Sequence, residues 1–258
     1  MTVSAAPETF ALAQGVLGVF TQRGHGNLAH RRPHVPAELV SARTQVAHAV
    51  GVEAGELHLM RQVHGAQVGR IGASSSRGGE MRSVDALATD QTGRALVVQA
   101  ADCVPVLIAA DQGPIGVAHA GRGGVTGNVV AQLVDALVDL GARAEHLHAA
   151  IGPSIGGCCY EVPAAMAREV ADRVGAQGAA KVVATTTWAT TSLDLPVAVA
   201  WQLAQAGVTD IRPSPGCTHC DPEARWFSHR REASTGRHAG VVVRTAGPCA
   251  QTSSSVAA

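Results

Sequence analysis

The stretch RALVVQAADCVPVLIAADQGPIGVAHAG (94–121) decides the fold. It holds two strongly apolar runs, RALVVQA and VPVLIAA, separated by Ala101, Asp102 and Cys103, and a Gly113-Pro114 turn that leads into a third run, IGVAHA. Runs this short and this apolar read as buried strands of one β-unit, which places Cys103 and His119 at strand edges. An acid and a thiol set between such strands need partners, because a buried polar group without one is costly.

Upstream, Gly15 to Phe20 reads as a strand, and TQRGHGNLAHRRPH (21–34) as a loop. Pro36 then opens a helix with Leu39, Arg43, Val46, Ala47 and Val50 on one face and Gly51 as its stop, which sets a guanidinium on or beside the face to be buried. Leu57–Val63 and Ala66–Ile71 read as two strands joined at His64-Gly65, followed by a flexible SSSRGGE segment (74–80).

Downstream, Asn128 to Leu140 forms a helix that ends at Gly141, and LHAAIG (147–152) a strand. Pro163 starts a helix through Val174, and Pro196 another through Ala206. VTDIR (208–212) and GVVVR (240–244) are strands flanking the segment CTHCDPEARWFSHRREASTGR (217–237). With no repeat and no long hydrophilic linker, the expectation is one mixed α/β domain over residues 15–246, with a flexible N-terminus (1–14) and a flexible tail (247–258).

The 258 residues are 46% hydrophobic and 16% charged, enough to bury a substantial core. Twenty basic residues balance twenty acidic ones, and three Trp, one Tyr and three Phe offer little stacking surface, which argues against nucleic acid and anionic membrane as partners. Without a secretory signal or a bilayer-spanning run, a cytoplasmic location is expected. The six cysteines are accordingly expected to be reduced thiols.

Two imidazoles and a thiolate are the ligand types of a tetrahedral zinc that keeps one position open, and His64 (in QVHG), Cys103 and His119 (in VAHAG) supply them at strand ends. By spacing alone, a buried cysteine and surface histidines remain the alternative. Cys217-Thr-His-Cys220 has the spacing of half a structural zinc site, but with no second pair at suitable distance it is expected to be a loop held by packing. Adjacent Cys158-Cys159 reads as core or pocket lining. In FSHRREASTGR (227–237), His229, Arg230, Arg231 and Arg237 suit a phosphate or carboxylate, with a solvated basic turn as the alternative.

QVHG (62–65), VDALAT (84–89), ADCVPVLIA (101–109), GVAHAG (116–121), IGPSIGGCCYEV (151–162), Cys217-Thr218 and FSHRREASTGR together resemble the laccase-domain family, whose members are variously described as multicopper polyphenol oxidase-like proteins, peptidoglycan editing factors and purine nucleoside phosphorylases. The resemblance implies a single α/β domain of layered sheets flanked by helices, similar to a toxin deamidase with a Cys/His pair. It implies zinc, or copper, on His64, Cys103 and His119, a catalytic part for Cys103, His119 and Arg43, and substrate contacts at Arg23, Gln62, Arg122, His229 and Arg230. The family commonly reads HAGWRG where this chain has Arg122 and Gly123 in place of Trp and Arg. The N-terminal loop elements survive only as Thr21-Gln-Arg23-Gly24 and Asn27-Leu28, and Ala42 replaces the Asn before Arg43.

The implied reaction is phosphorolysis of adenosine or inosine, with adenosine deamination beside it, so purine nucleoside and phosphate are the expected partners. Rival expectations are a hydrolase acting on nucleotide-linked cell-wall precursors, a copper-dependent phenol oxidase, and a non-catalytic metal-dependent binding protein. The sequence sets no oligomeric state.

Overall fold

In each central strand, alternate side chains serve different cores, as the two-residue repeat of a strand requires. The computed structural model describes residues 6–29 and 37–245. In chain order the first elements are β1 (Thr9–Ala13), β2 (Val16–Phe20), α1 (Ala37–Ala49), β3 (Leu57–Arg61), β4 (Val68–Ile71), β5 (Gly79–Arg82), β6 (Ala86–Thr89) and β7 (Ala95–Ala100). Next come β8 (Val104–Ala110), β9 (Ile115–Ala120), α2 (Arg122–Thr126), α3 (Val129–Asp139), β10 (Leu147–Ile151), α4 (Ala164–Val174) and α5 (Ala176–Val182). The series closes with β11 (Val183–Thr185), β12 (Thr191–Leu193), α6 (Leu195–Gln205), β13 (Asp210–Arg212) and β14 (His238–Arg244).

Two six-stranded sheets result, in the orders β1-β2-β14-β7-β3-β5 and β13-β10-β8-β9-β6-β4, with β11 and β12 as a separate hairpin. Leu96, Val98, Leu107, Ile115, Val117 and Val242 meet in the core between the sheets. The opposite faces of the same strands serve two outer cores. Ala95, Val97, Val241 and Val243 pack with Leu39, Val46 and Ala47 of α1, whereas Val104, Val106, Ile108 and Ala118 pack with Val130, Leu133 and Leu137 of α3 and with Leu195, Val199 and Leu203 of α6. The layers are therefore helix, sheet, sheet, helices, as expected of a single α/β domain.

The expected β-unit is present, with β8 and β9 antiparallel and Pro105 opposite His119. The helices at 128–140, 163–174 and 196–206 appear within a residue or so of their expected bounds, and Asp194 caps α6 by accepting from the Val197 N–H at 3.2 Å. Pro36, the expected start of α1, lies outside the described residues, as does the expected tail at 247–258.

Three expectations are corrected. Thr9–Ala13, within the expected flexible N-terminus, is an edge strand paired antiparallel with β2. The segment 74–80 is not all loop, because Gly79–Arg82 pairs in parallel with β3. The strands on either side of His64-Gly65 do not pair with each other: β3 belongs to one sheet and β4 to the other. Short apolar runs specify burial but not which sheet receives them. Among the described residues no helix is long and apolar enough to cross a membrane.

Leu107 is fully buried and bridges the sheets, facing Gly18 of β2 and Gly240 of β14 so closely that a Cβ on either would fall 3.2 or 3.1 Å from its methyls. Rigid sheet backbones cannot collapse into the space this side chain fills. Leu107→Ala is expected to cost about 2–5 kcal/mol, read as a lowered urea midpoint with unchanged slope; a change under about 0.5 kcal/mol would show that the sheets are not held together here.

Candidate metal centre

The chain passes between the two sheets at the C-terminal ends of β3 and β7, which run parallel. His64 lies on the first crossing, Asp102 and Cys103 on the second, and His119 near the end of β9, where Ala120 pairs with Val104. These crossings are tight: His64 and Asp102 hold φ of 61° and 95°, conformations that side chains other than glycine rarely adopt. The ligand-type atoms of His64, Cys103 and His119 all lie within 4.8 Å of one another. The two imidazoles meet edge to face, with centroids 4.9 Å apart. A Cβ on Gly121 would fall 2.9 Å from Cys103 Sγ and 3.1 Å from His64 Cδ2, so that glycine keeps the space beside the triad clear.

A residue that sequence reasoning gave no role organises this arrangement. Asp85 is fully buried, and its carboxylate accepts from the backbone N–H of Val63 (3.2 Å), His64 (3.0 Å) and Gly65 (2.8 Å) while standing 2.9 Å from His119 Nδ1. Burial alone would push this carboxyl up, but His119 and these N–H groups outweigh it and hold the group below the usual carboxylate range. With Nδ1 engaged by Asp85, His119 turns Nε2 toward Cys103, as a ligating histidine with a carboxylate behind it does. The signal was an acid opening the apolar run VDALAT.

Burial likewise disfavours a Cys103 thiolate, yet the charge of His119 and hydrogen bonds from His119 and His64 bring the thiol down to about 6. The same pairing raises His119 to about 9, as the Cys103 charge and Asp85 overcome its own burial. A thiolate and two imidazoles, one of them backed by a carboxylate, form a donor set fitted to a divalent transition metal.

Asp102, the buried acid next to Cys103, has both oxygens occupied. Oδ1 accepts from Thr218 Oγ1 at 2.6 Å and Oδ2 from the Arg230 N–H at 2.6 Å, which fastens the segment 217–230 over the second crossing. Arg231 secures that segment from the other side through the carbonyls of Thr218 and Trp226.

The triad opens into a cavity of about 980 Å³, at the upper end for small-molecule sites. Of the expected substrate residues, Gln62, Arg122, His229 and Arg230 line it. Gln62 donates one amide N–H to the Gln99 carbonyl (2.8 Å) and accepts from the Gln99 N–H (2.9 Å), which ties the crossing to β7 and leaves its second N–H for another acceptor. Arg23 and Arg43 are not among the lining residues. Arg23 pairs with Glu232 at 3.6 Å and covers the Phe227 ring, and Arg43 donates to the Leu28 carbonyl at 3.4 Å, tying α1 to the loop before it. Arg237, the expected anion residue at the end of 227–237, also lines it, and the structure adds Arg61 and Arg82.

Residues 16–245 match the family model described as multi-copper polyphenol oxidoreductase laccase. A relative named purine nucleoside phosphorylase from Corynebacterium glutamicum is 37% identical over 234 residues, covering 87% of this chain and 92% of its own. Another of that name from Streptomyces griseus is 40% identical over 208 residues, covering 80% and 82%. The solved structure of YlmD from Geobacillus stearothermophilus superposes with a TM-score of 0.79 at 28% identity, covering 94% of this chain and all of that one. With its two-sheet core and its triad at the sheet crossings, the chain belongs to the multi-copper polyphenol oxidoreductase laccase family.

Proposed function

We propose that this chain is a zinc-dependent purine nucleoside phosphorylase acting on adenosine and inosine, with adenosine deamination as a side activity. The observation that carries the reading is a metal-competent His64–Cys103–His119 triad inside a cavity lined by Arg61, Arg82, Arg122, Arg230 and Arg237. Phosphorolysis needs an oxyanion held against a sugar carbon, and the guanidinium groups that line the cavity supply such a hold. The names of the relatives support the same reading.

When bound, zinc supplies a Lewis acid that polarises an oxygen ligand or lowers the pKa of water. The protein's own groups do the rest. Arg230 stands over the Tyr160 ring at 5.1 Å with one N–H on the Glu161 carbonyl, which leaves other donors of its fork for an anion. Tyr160, half-buried in the same wall, backs the Arg230 guanidinium with its ring and so holds that cation at the cavity. His229, held through Nδ1 against the Ala233 carbonyl at 3.0 Å, can present Nε2 to a substrate hydroxyl or base nitrogen.

The exchange of the family's Trp-Arg for Arg122-Gly123 fits this scheme. A Cβ on Gly123 would fall 2.3 Å from the His64 carbonyl, so α2 starts pressed against the first crossing and a side chain is barred there. Arg122, one position earlier, reaches the cavity with only a loose ion pair to Glu169 at 3.7 Å, and takes over as the cation from this segment. A cytoplasmic setting accords with five free thiols among the described residues.

Zinc-loaded protein is expected to release hypoxanthine from inosine at a rate that rises and saturates with inorganic phosphate, with ribose 1-phosphate as the second product by chromatography. Release at an unchanged rate without phosphate would assign a hydrolase instead, and no release at any phosphate concentration would remove the reading. Arg230→Ala is expected to raise the KM for phosphate about tenfold, the loss of one charge-assisted hydrogen bond, with a smaller change in the KM for inosine. Asp85→Asn sets an amide NH2 against backbone N–H groups that now donate to a carboxylate oxygen, so it loosens the crossing as well as the support for His119, and is expected to lower the zinc affinity of the triad about 10–100-fold, measured by competition with a chromophoric chelator; unchanged affinity would show that Asp85 does not position the ligand set.

A further inference from the structure

The cysteines outside the triad converge on one point. The sulfurs of Cys158, Cys159, Cys217 and Cys220 all lie within 4.8 Å of one another, and Cys158 and Cys220 are 3.8 Å apart. A tetrahedral metal with bonds of about 2.3 Å to sulfur holds its ligands about 3.8 Å apart, whereas a disulfide draws two sulfurs to about 2 Å. The half-site expected to lack a partner at Cys217-Thr-His-Cys220 finds one in the adjacent pair Cys158-Cys159, which the tertiary fold brings across the Ser154–Cys217 bridge.

The backbone around Cys217 is arranged for a thiolate. Gly156 donates its N–H to Cys217 Sγ at 3.3 Å, and the N–H groups of His219 and Cys220, within the same tight turn, point at the same sulfur. Although burial opposes it, these donors hold the Cys217 thiol below its ordinary value. Sulfurs ligate metals as thiolates, and four of them this close together require a cation among them.

We propose that Cys158, Cys159, Cys217 and Cys220 form a second metal site, a four-thiolate structural zinc centre separate from the triad. All four positions are filled by sulfur, so the centre has no open coordination for chemistry, and its work is to staple the turn at 156–160 to the turn at 217–221. That staple bears on the first site. The Ile155 N–H donates to the Asp102 carbonyl at 2.9 Å and Thr218 Oγ1 to the Asp102 carboxylate, so both stapled turns hold the residue next to Cys103. Tyr160, in the cavity wall, immediately follows the cysteine pair.

The test is metal content of the freshly purified full-length chain in variants that separate the two centres. In His64→Ala/His119→Ala, one zinc equivalent is expected to remain, and its cobalt-substituted form is expected to show intense thiolate-to-metal charge transfer with tetrahedral visible bands. In Cys217→Ser/Cys220→Ser, that equivalent and that spectrum are lost while the triad keeps its own metal. Should this variant fail to fold, the X-ray absorption spectrum of the zinc in the triad variant decides, with a shell of sulfur alone expected. Absence of metal from the triad variant, a shell containing nitrogen, or recovery of the four cysteines as disulfides would overturn the proposal. None of these readouts depends on nucleoside turnover, so phosphorolysis can fail while the second site stands.

Discussion

The candidate site depends on a buried carboxylate. Asp85 has no solvent to stabilise its charge, and it is tolerated because three consecutive backbone N–H groups and one imidazole converge on it. Those bonds hold His64 in a left-handed backbone conformation at the point where the chain leaves one sheet for the other, and they orient His119 from the second sheet. A single side chain thus positions two of the three ligand-type residues relative to each other. Asp102 plays the same part at the second crossing, where it anchors the distant segment that brings Arg230 to the cavity.

Both acids sit where the two sheets exchange strands, and this explains why the site is where it is. A strand that ends in one sheet and resumes in the other must turn sharply and leave backbone groups unpaired by either ladder. Those groups need acceptors. The carboxylates that satisfy them also collect the cationic and hydrogen-bonding groups from which an anion-binding, metal-competent cavity can be built. The apolar core between the sheets, with Leu107 wedged over Gly18 and Gly240, gives this seam a rigid support.

Much of the fold was legible because its pattern is local. The three runs in 94–121 are strands since they are short, apolar and bounded by turn residues, and α3, α4 and α6 follow from helical periodicity with proline or glycine at their ends. The edge strands β1 and β5 were missed, because half-exposed strands carry little apolar signal and owe their form to a neighbour. The triad was legible as chemistry, two histidines and a thiol at strand ends, and resemblance to a family gave those residues a common purpose. Gln62 illustrates the limit: resemblance marked it as a substrate contact, and only the fold shows that its amide also fastens the backbone of Gln99.

By itself the sequence determined which segments are buried, what donor types are available for a metal, and which family pattern they follow, because residue type and periodicity are properties of the chain. Tertiary structure alone decided that β3 and β4 part company at His64, that Asp85 stands behind His119, and that Arg43 donates to a loop carbonyl. It also decided that two cysteine pairs from opposite ends of the second half form one cluster. Each of these is a meeting of residues far apart in sequence, and no local pattern encodes the distance between two points that only packing brings together.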